Sequence, residues 1–359
     1  MKRLVLIAIL LCGCAGSPPP RAGDAVVATA RRAEAAGRHA EGARAYDQAS
    51  TEAQSDKDKS AYALAAAREA ERGGDLESAG RRYEAIAHLR LPDAPIALMR
   101  LALMRAAAND AVGARGFLAE ILRSHPASGV ATRALLLHVG DAKEREVCEQ
   151  RLAETEALVR SANATELSET YAYMNAECID ATGRGKEALT LYLQIAQNYP
   201  PPSGHYNTES LIRAAELQQS YGDNAGAILT LKQLLRQREH SQTIGSYEKP
   251  AYAIAQSRIA TIYATQLHDT RSAEDAWGAL FRDFPDSRLR DDGAFEAALI
   301  QRQHGDASAA CGWLKRLKDV QPTSRYVRCI PAWCEAQSGA KCAEYLNERW
   351  QNAAAKQNQ

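Results

Sequence analysis

The chain has 359 residues, of which 25% are charged, and its 44 basic side chains are matched by 44 acidic ones. With no net charge and no stripe of one sign, a nucleic-acid surface built on excess positive charge is excluded. Aromatic residues are only 6% while hydrophobic residues reach 46%, so closely packed, alanine-rich helices rather than a bulky central core are expected to hold the fold.

Residues 1–14, MKRLVLIAILLCGC, have a short basic start, an apolar run from Leu4 to Leu11 and then small residues. That run is well short of the roughly 20 residues a spanning helix needs, so residues 1–13 read as a secretory signal. Leu11-Cys12-Gly13-Cys14 resembles the bacterial lipobox, and the resemblance implies lipidation of Cys14 as the new N-terminus; the alternative is a plain signal peptide with two incidental cysteines. Ala15, Gly16 and Ser17 follow where an Asp would favour inner-membrane retention, so similarity to known lipoproteins implies an outer-membrane anchor facing the periplasm. Loss of residues 1–13 would leave 42 bases against 44 acids, and anchoring would rest on lipid rather than on a basic patch. Residues 14–23, with Ser17-Pro18-Pro19-Pro20 inside them, are expected to form a short extended tether.

From Asp24 onward one grammar repeats. A turn residue is followed after five positions by a small residue, after four more by a large apolar one, and after a further three by another apolar one. The turn residues are Gly37, Gly74, Asn109, Gly183, Gly222, His268 and Gly305; the small slot holds Gly42, Ala79, Ala114, Ala188, Ala227, Ala273 and Ala310. Tyr46, Tyr83, Leu118, Tyr192, Leu231, Trp277 and Leu314 fill the large slot, and Ala49, Ile86, Ile121, Ile195, Leu234, Leu280 and Leu317 the last. Seven residues before each turn stands another small residue: Ala30, Ala67, Ala102, Ala176, Ala215, Thr261 and Ala298. Spacings of four and three put residues on one face of a helix, and paired small residues let two helices approach closely across a turn. The pattern predicts an array of helix-turn-helix units in which each unit packs on its neighbours.

This pattern resembles the tetratricopeptide repeat (TPR), including the proline that ends several second helices, Pro126, Pro200, Pro285 and Pro322. The resemblance implies an all-α fold, an α-solenoid of about eight to nine TPR-like helical hairpins over residues 24–350. The 74-residue gap from Asn109 to Gly183 predicts a degenerate unit over about 127–162, around Gly140. Glu239 to Pro250 reads as a polar insertion, residues 323–350 as a disulfide-stapled cap, and 351–359 as a disordered tail.

Six further cysteines, Cys148, Cys178, Cys311, Cys329, Cys334 and Cys342, are an even set in a chain read as exported, and structural disulfides are expected. Cysteines facing each other across a helical turn lie equally far from it. Cys148 and Cys178 centre on the polar break SANAT, Cys311 and Cys329 beside Gln321-Pro322, and Cys334 and Cys342 on Ser338-Gly339. These three pairings are therefore expected. Cys311 with Cys334 centres acceptably too, but it leaves Cys329 and Cys342 centred inside an expected helix. No C-x-x-C occurs, so a metal site is not expected.

No zinc-binding H-E-x-x-H, phosphate loop, nucleophile elbow or dinucleotide fingerprint is present, so the chain is expected not to be an enzyme and to need no cofactor or small-molecule substrate. The TPR resemblance implies instead a partner-binding groove on the inner face of the first helices. Matched residue by residue, it gives Thr170, Tyr173, Glu177 and Asp180; Glu209, Ile212, Glu216 and Gln219; Arg258 and Ile262; and Phe295, Leu299 and Arg302. Aromatic and apolar residues mixed with charge suit a peptide segment, and ordinary solvated or packing positions are the alternative. The expected function is a non-catalytic protein–protein interaction scaffold, a lipoprotein of the bacterial cell envelope docking another envelope protein in outer-membrane or appendage assembly; the alternative is a peptidoglycan- or ligand-binding module.

Overall fold

The structure is a computed structural model that describes residues 22–140, 145–162, 165–238, 250–335 and 342–355. The signal, Cys14, most of the tether and nearly all of the 239–250 insertion lie outside them. The described residues form helices without strands: α1 Ala22–Ala35, α2 His39–Glu52, α3 Asp56–Arg72, α4 Leu76–His88, α5 Ala94–Ala107, α6 Ala111–Ser124, α7 Ala131–Val139, α8 Arg145–Ala162 and α9 Thr165–Ala181. Then follow α10 Gly185–Asn198, α11 Asn207–Ser220, α12 Asn224–Arg236, α13 Pro250–Thr265, α14 Thr270–Asp283, α15 Arg290–Gln303, α16 Ala307–Val320, a 3-10 turn Val327–Cys329, α17 Ile330–Cys334 and α18 Glu344–Ala355. From α1 to α6, and again from α8 to α16, each helix packs on the one before it and the one after it. The fold is an all-α, TPR-like array of helical hairpins, divided into two compact units, 1–138 and 139–359.

Each hairpin is set by its turn. All seven turn residues predicted from sequence have positive φ, from 52° at His268 to 84° at Gly183, and so does Gly140, at 82°. That left-handed conformation is cheapest for glycine. At Gly74 the backbone N–H donates to Glu71 O at 3.0 Å and the next N–H, of Asp75, to Ala70 O at 3.0 Å, the pair of bonds that closes a helix by a Schellman motif. Asp75 then starts the following helix, because its carboxylate accepts the Ser78 N–H at 3.0 Å. Asp110, Asp223 and Asp306 repeat this dual role, accepting the N–H of Gly113, Gly226 and Ala309 at 2.8 Å each. Where Arg replaces Asp, at Arg38 and Arg184, the guanidinium reaches forward instead, to Glu41 at 2.8 Å and to Glu187 at 2.7 Å.

Burial follows the repeat. Every residue of the large and last apolar slots is buried, Trp277 being the most open at 9% exposure, and each of these side chains except that of Ala49 contributes roughly 1.5–3 kcal/mol of transfer free energy. One small slot differs from expectation: Thr261 is exposed, and Ala260 takes the buried place. The turn at His268 holds one more residue than the others, since Asp269 N reaches back to Tyr263 O, and this shifts the register of α13 by one. The degenerate unit keeps the left-handed glycine and a buried Leu152 in the last slot, but Arg145 and Glu149 stand where the small and large slots fall. There Arg151 Nη1 caps the end of α7 by donating to Val139 O at 2.9 Å, and a Cβ on Gly140 would lie 2.6 Å from that nitrogen.

The C-terminal end differs most from expectation. Cys148 is joined to Cys178, but Cys311 is joined to Cys334 and Cys329 to Cys342, in place of the expected 311–329 and 334–342 pairs. The expectation assumed a helix through residue 335, whereas α17 ends at Cys334, so the midpoint of Cys329 and Cys342 falls just past a helix rather than inside one. Nor do residues 351–355 fray: α18 continues to Ala355, burying Leu346, Trp350 and Ala353 at spacings of four and three against α15.

Candidate functional site

In the unit 139–359 the first helices α9, α11, α13 and α15 carry the groove residues that the TPR resemblance implied. Tyr173 on α9 is half-buried and its ring stacks on Tyr206, just before α11, with centroids 4.4 Å apart and planes 15° from parallel. Tyr206 is fixed by its own backbone, whose N–H donates to the buried Glu169 carboxylate at 2.7 Å. Burial and then the carboxylates of Glu177 and Glu209 push the Tyr173 phenol well above its ordinary value. Both carboxylates are exposed, so negative charge borders the stacked rings.

Beside the rings runs a line of ion pairs across three helices. Arg213 donates to Asp180 at 2.7 Å and to Glu216 at 2.7 Å, and Arg258 donates to Glu216 at 2.6 Å. Burial alone would raise the Glu216 carboxyl, but hydrogen bonds from Arg213 and Arg258 outweigh it and hold the group below the usual carboxylate range. Those bonds fix the spacing of α9, α11 and α13, and each pair is partly exposed and so of modest worth singly. Ile212 is half-buried beside them.

Phe295 does not line a groove. It is fully buried, as are Ile262 and Leu299, at 0% and 5% exposure. Phe295 stacks on Tyr326 at 4.2 Å and 15°, and on Trp333 at 5.6 Å, while Trp333 stacks on Trp350 of α18 at 4.8 Å. Arg302, also expected in the groove, lies over the Trp350 ring at 5.5 Å. Arg349 of α18 pairs with Glu296 at 2.8 Å and sits over Phe295 at 5.1 Å. The chain's own α18 therefore covers the face of α15 that sequence matching had left open.

The structure thus groups Tyr173, Glu177, Glu216 and Arg258 on an accessible surface and gives Phe295 and Arg302 to the cap. Tyr206 and Trp350 were missed. A spacing search would have found the first, because Tyr206 follows Tyr173 by 33 residues much as Tyr326 follows Phe295 by 31. In the unit 1–138 a separate groove of about 960 Å³ opens between α4 and α6 over Leu98 and Leu101 of α5, rimmed by His88, Glu120 and His125.

No protein-family model matches the chain, and no curated protein matches it. Among solved structures it is similar to a signal transduction ATPase with numerous domains (STAND) protein with a tetratricopeptide repeat sensor from Pyrococcus horikoshii, at 14% identity and a TM-score of 0.45. That similarity covers 88% of this chain and 49% of the other, so this chain spans about half of that protein's length.

Proposed function

We propose that the chain is a non-catalytic interaction scaffold of the bacterial cell envelope, held to the outer membrane by lipid on Cys14, which docks a segment of another envelope protein on the inner face of α9, α11 and α13. The observation that carries the docking site is the half-buried Tyr173–Tyr206 stack beside Asp180–Arg213–Glu216–Arg258. It presents apolar rings and fixed charge on the first helices of successive hairpins, the mixture from which peptide-binding surfaces draw their anchors. Three disulfides support an oxidising compartment, and the apolar start ending at Cys14 supports export and lipidation.

Mild crosslinking of the tagged protein in its own cells, followed by envelope fractionation, tests this reading. A few stoichiometric envelope proteins should be captured, be lost when Tyr173, Glu209 and Arg258 are replaced together, and change with a Cys14→Ser control that releases the chain from the membrane. Capture of cell wall alone, with no protein, would overturn the scaffold in favour of glycan binding.

A further inference from the structure

The unit 139–359 contains the same aromatic arrangement twice, once covered and once open. In the covered copy, Phe295 of α15 stacks on Tyr326, which precedes the next turn of helix, at 4.2 Å and 15°. In the open copy, Tyr173 of α9 stacks on Tyr206, which precedes α11, at 4.4 Å and the same 15°. Phe295 and Tyr173 hold the same place in their units, ten residues before the left-handed turn residues Gly305 and Gly183. What differs is what lies on top.

Over the first pair, the amphipathic helix α18 supplies Trp350, which reaches Phe295 through Trp333, and Arg349, which covers the Phe295 ring at 5.1 Å while pairing with Glu296 at 2.8 Å. Its neighbouring Leu299 is buried at 5% exposure, while the residues in the same place of α9 and α11, Glu177 and Glu216, are exposed and half-exposed. Over the second pair no equivalent helix lies among the described residues. Tyr173 and Tyr206 stay half-buried, with the exposed carboxylates of Glu177 and Glu209 close by. A cation is attracted both by an aromatic face beneath it and by a carboxylate that pairs with it, and Arg349 of α18 makes both contacts at once.

Resting on the scaffold reading above, we infer that the Tyr173–Tyr206 platform is a docking site for a basic amphipathic helix of a partner protein, one that sets an Arg or Lys beside an aromatic residue as α18 sets Arg349 beside Trp350. The aromatic residue extends the tyrosine stack. The cation lies over Tyr173 and pairs with the Glu177 and Glu209 carboxylates. Because α18 already covers the equivalent place on α15, the open site is the one at α9 and α11, and a foreign helix need not displace part of the chain.

The test uses the full chain with its disulfides intact and a fluorescent helical peptide of residues 343–355 carrying Glu344→Lys and Glu348→Lys, followed by anisotropy. The peptide should bind saturably. Tyr173→Ala in the protein, Glu209→Lys in the protein, and Trp350→Ala in the peptide should each weaken binding at least about tenfold, with the protein's helical circular dichroism and melting unchanged for Glu209→Lys, an exposed position that leaves the fold testable if Tyr173→Ala does not. Binding that ignores both protein variants, or no binding, overturns the inference. Loss on Glu296→Lys but not on Glu209→Lys also overturns it, by putting the peptide in place of α18. A chain that dimerises in sedimentation through Tyr173 without any peptide makes a second copy the occupant and overturns the foreign helix. If the peptide fails while crosslinked envelope proteins still depend on Tyr173, Glu209 and Arg258, the scaffold stands and only the helix is wrong.

Discussion

Glu69 lies directly against Gly42: a Cβ on Gly42 would come 3.1 Å from Glu69 Oε2. The carboxylate is only 1% exposed and is held by Arg72 at 2.8 Å and His39 at 3.0 Å, so it cannot easily give way. This contact accounts for the one repeat in which glycine replaces alanine in the small slot. Gly42→Ala should lower stability by about 1 kcal/mol despite the better helix propensity of alanine, because crowding a locked carboxylate outweighs it. Urea denaturation of Gly42→Ala with and without Glu69→Ala would show positive coupling; additive effects would break the link between the two residues.

At the turns, Asp223→Ala should cost about 1 kcal/mol by removing the bond to Gly226 N–H, and Gly222→Ala a further ~1 kcal/mol because φ there is 79°. Thermal melts of the two single variants and the double variant measure this. Asp223→Asn, which keeps an oxygen acceptor, should recover most of the first loss.

Digestion without reduction should yield peptides joining Cys311 to Cys334 and Cys329 to Cys342; a Cys311–Cys329 fragment would contradict the cap. Replacing Cys329 and Cys342 by Ser should cost about 3 kcal/mol, as expected for closing a loop of this length. The loss should also weaken the near-ultraviolet circular dichroism that the stacked Trp333 and Trp350 rings generate.

On the acid side three carboxylates act together. Glu34 lies below its ordinary range because Arg72 and Tyr46 donate to it. Glu71 and Glu216 lie below theirs because arginine hydrogen bonds, with one from Tyr83 to Glu71, outweigh burial. A folded value below the unfolded one means that this stabilisation is complete above the unfolded carboxylate range, about 4.3, and is lost as pH falls through the depressed values. Burial raises Glu296 instead, and its charge penalty is relieved on acidification. Melting temperature should therefore fall below about pH 4, more gently in Glu71→Gln, and a Glu71→Gln profile identical to the parent's would remove that group from the account.

Trp277 is 9% exposed in the large slot of α14, and its backbone oxygen would lie 2.8 Å from a Cβ on Gly293 of the next helix, so the two helices are closely packed there. Trp277→Ala should cost about 3–5 kcal/mol through the cavity it leaves, seen as a lower denaturation midpoint.

Much of this was legible in the chain because hairpin repeats are local. Turn, small slot and apolar slots lie within a dozen residues of one another, and all seven residues read as turns have a left-handed backbone. Thr261 was misplaced since a single extra turn residue leaves the spacing pattern nearly intact while rotating a helix face. Phe295 was misread for a different reason: its burial depends on α18 folding back over α15, a contact between residues some 50 positions apart, as Glu296 and Arg349 show, whereas the cap disulfides were misread because α17 stops at Cys334. Tyr206 stands just before α11, outside the helical positions that the groove pattern counts.

The aspartates that end one helix and begin the next leave no slack between them. Asp75, Asp110, Asp223 and Asp306 each serve both backbones at once, so a hairpin has no joint at which to bend or lengthen. Under a pulling force such a chain should surrender whole hairpins rather than single helices, in steps of roughly 120 Å of contour for about 37 residues, and it would accommodate long inserted sequence between hairpins rather than at these four turns.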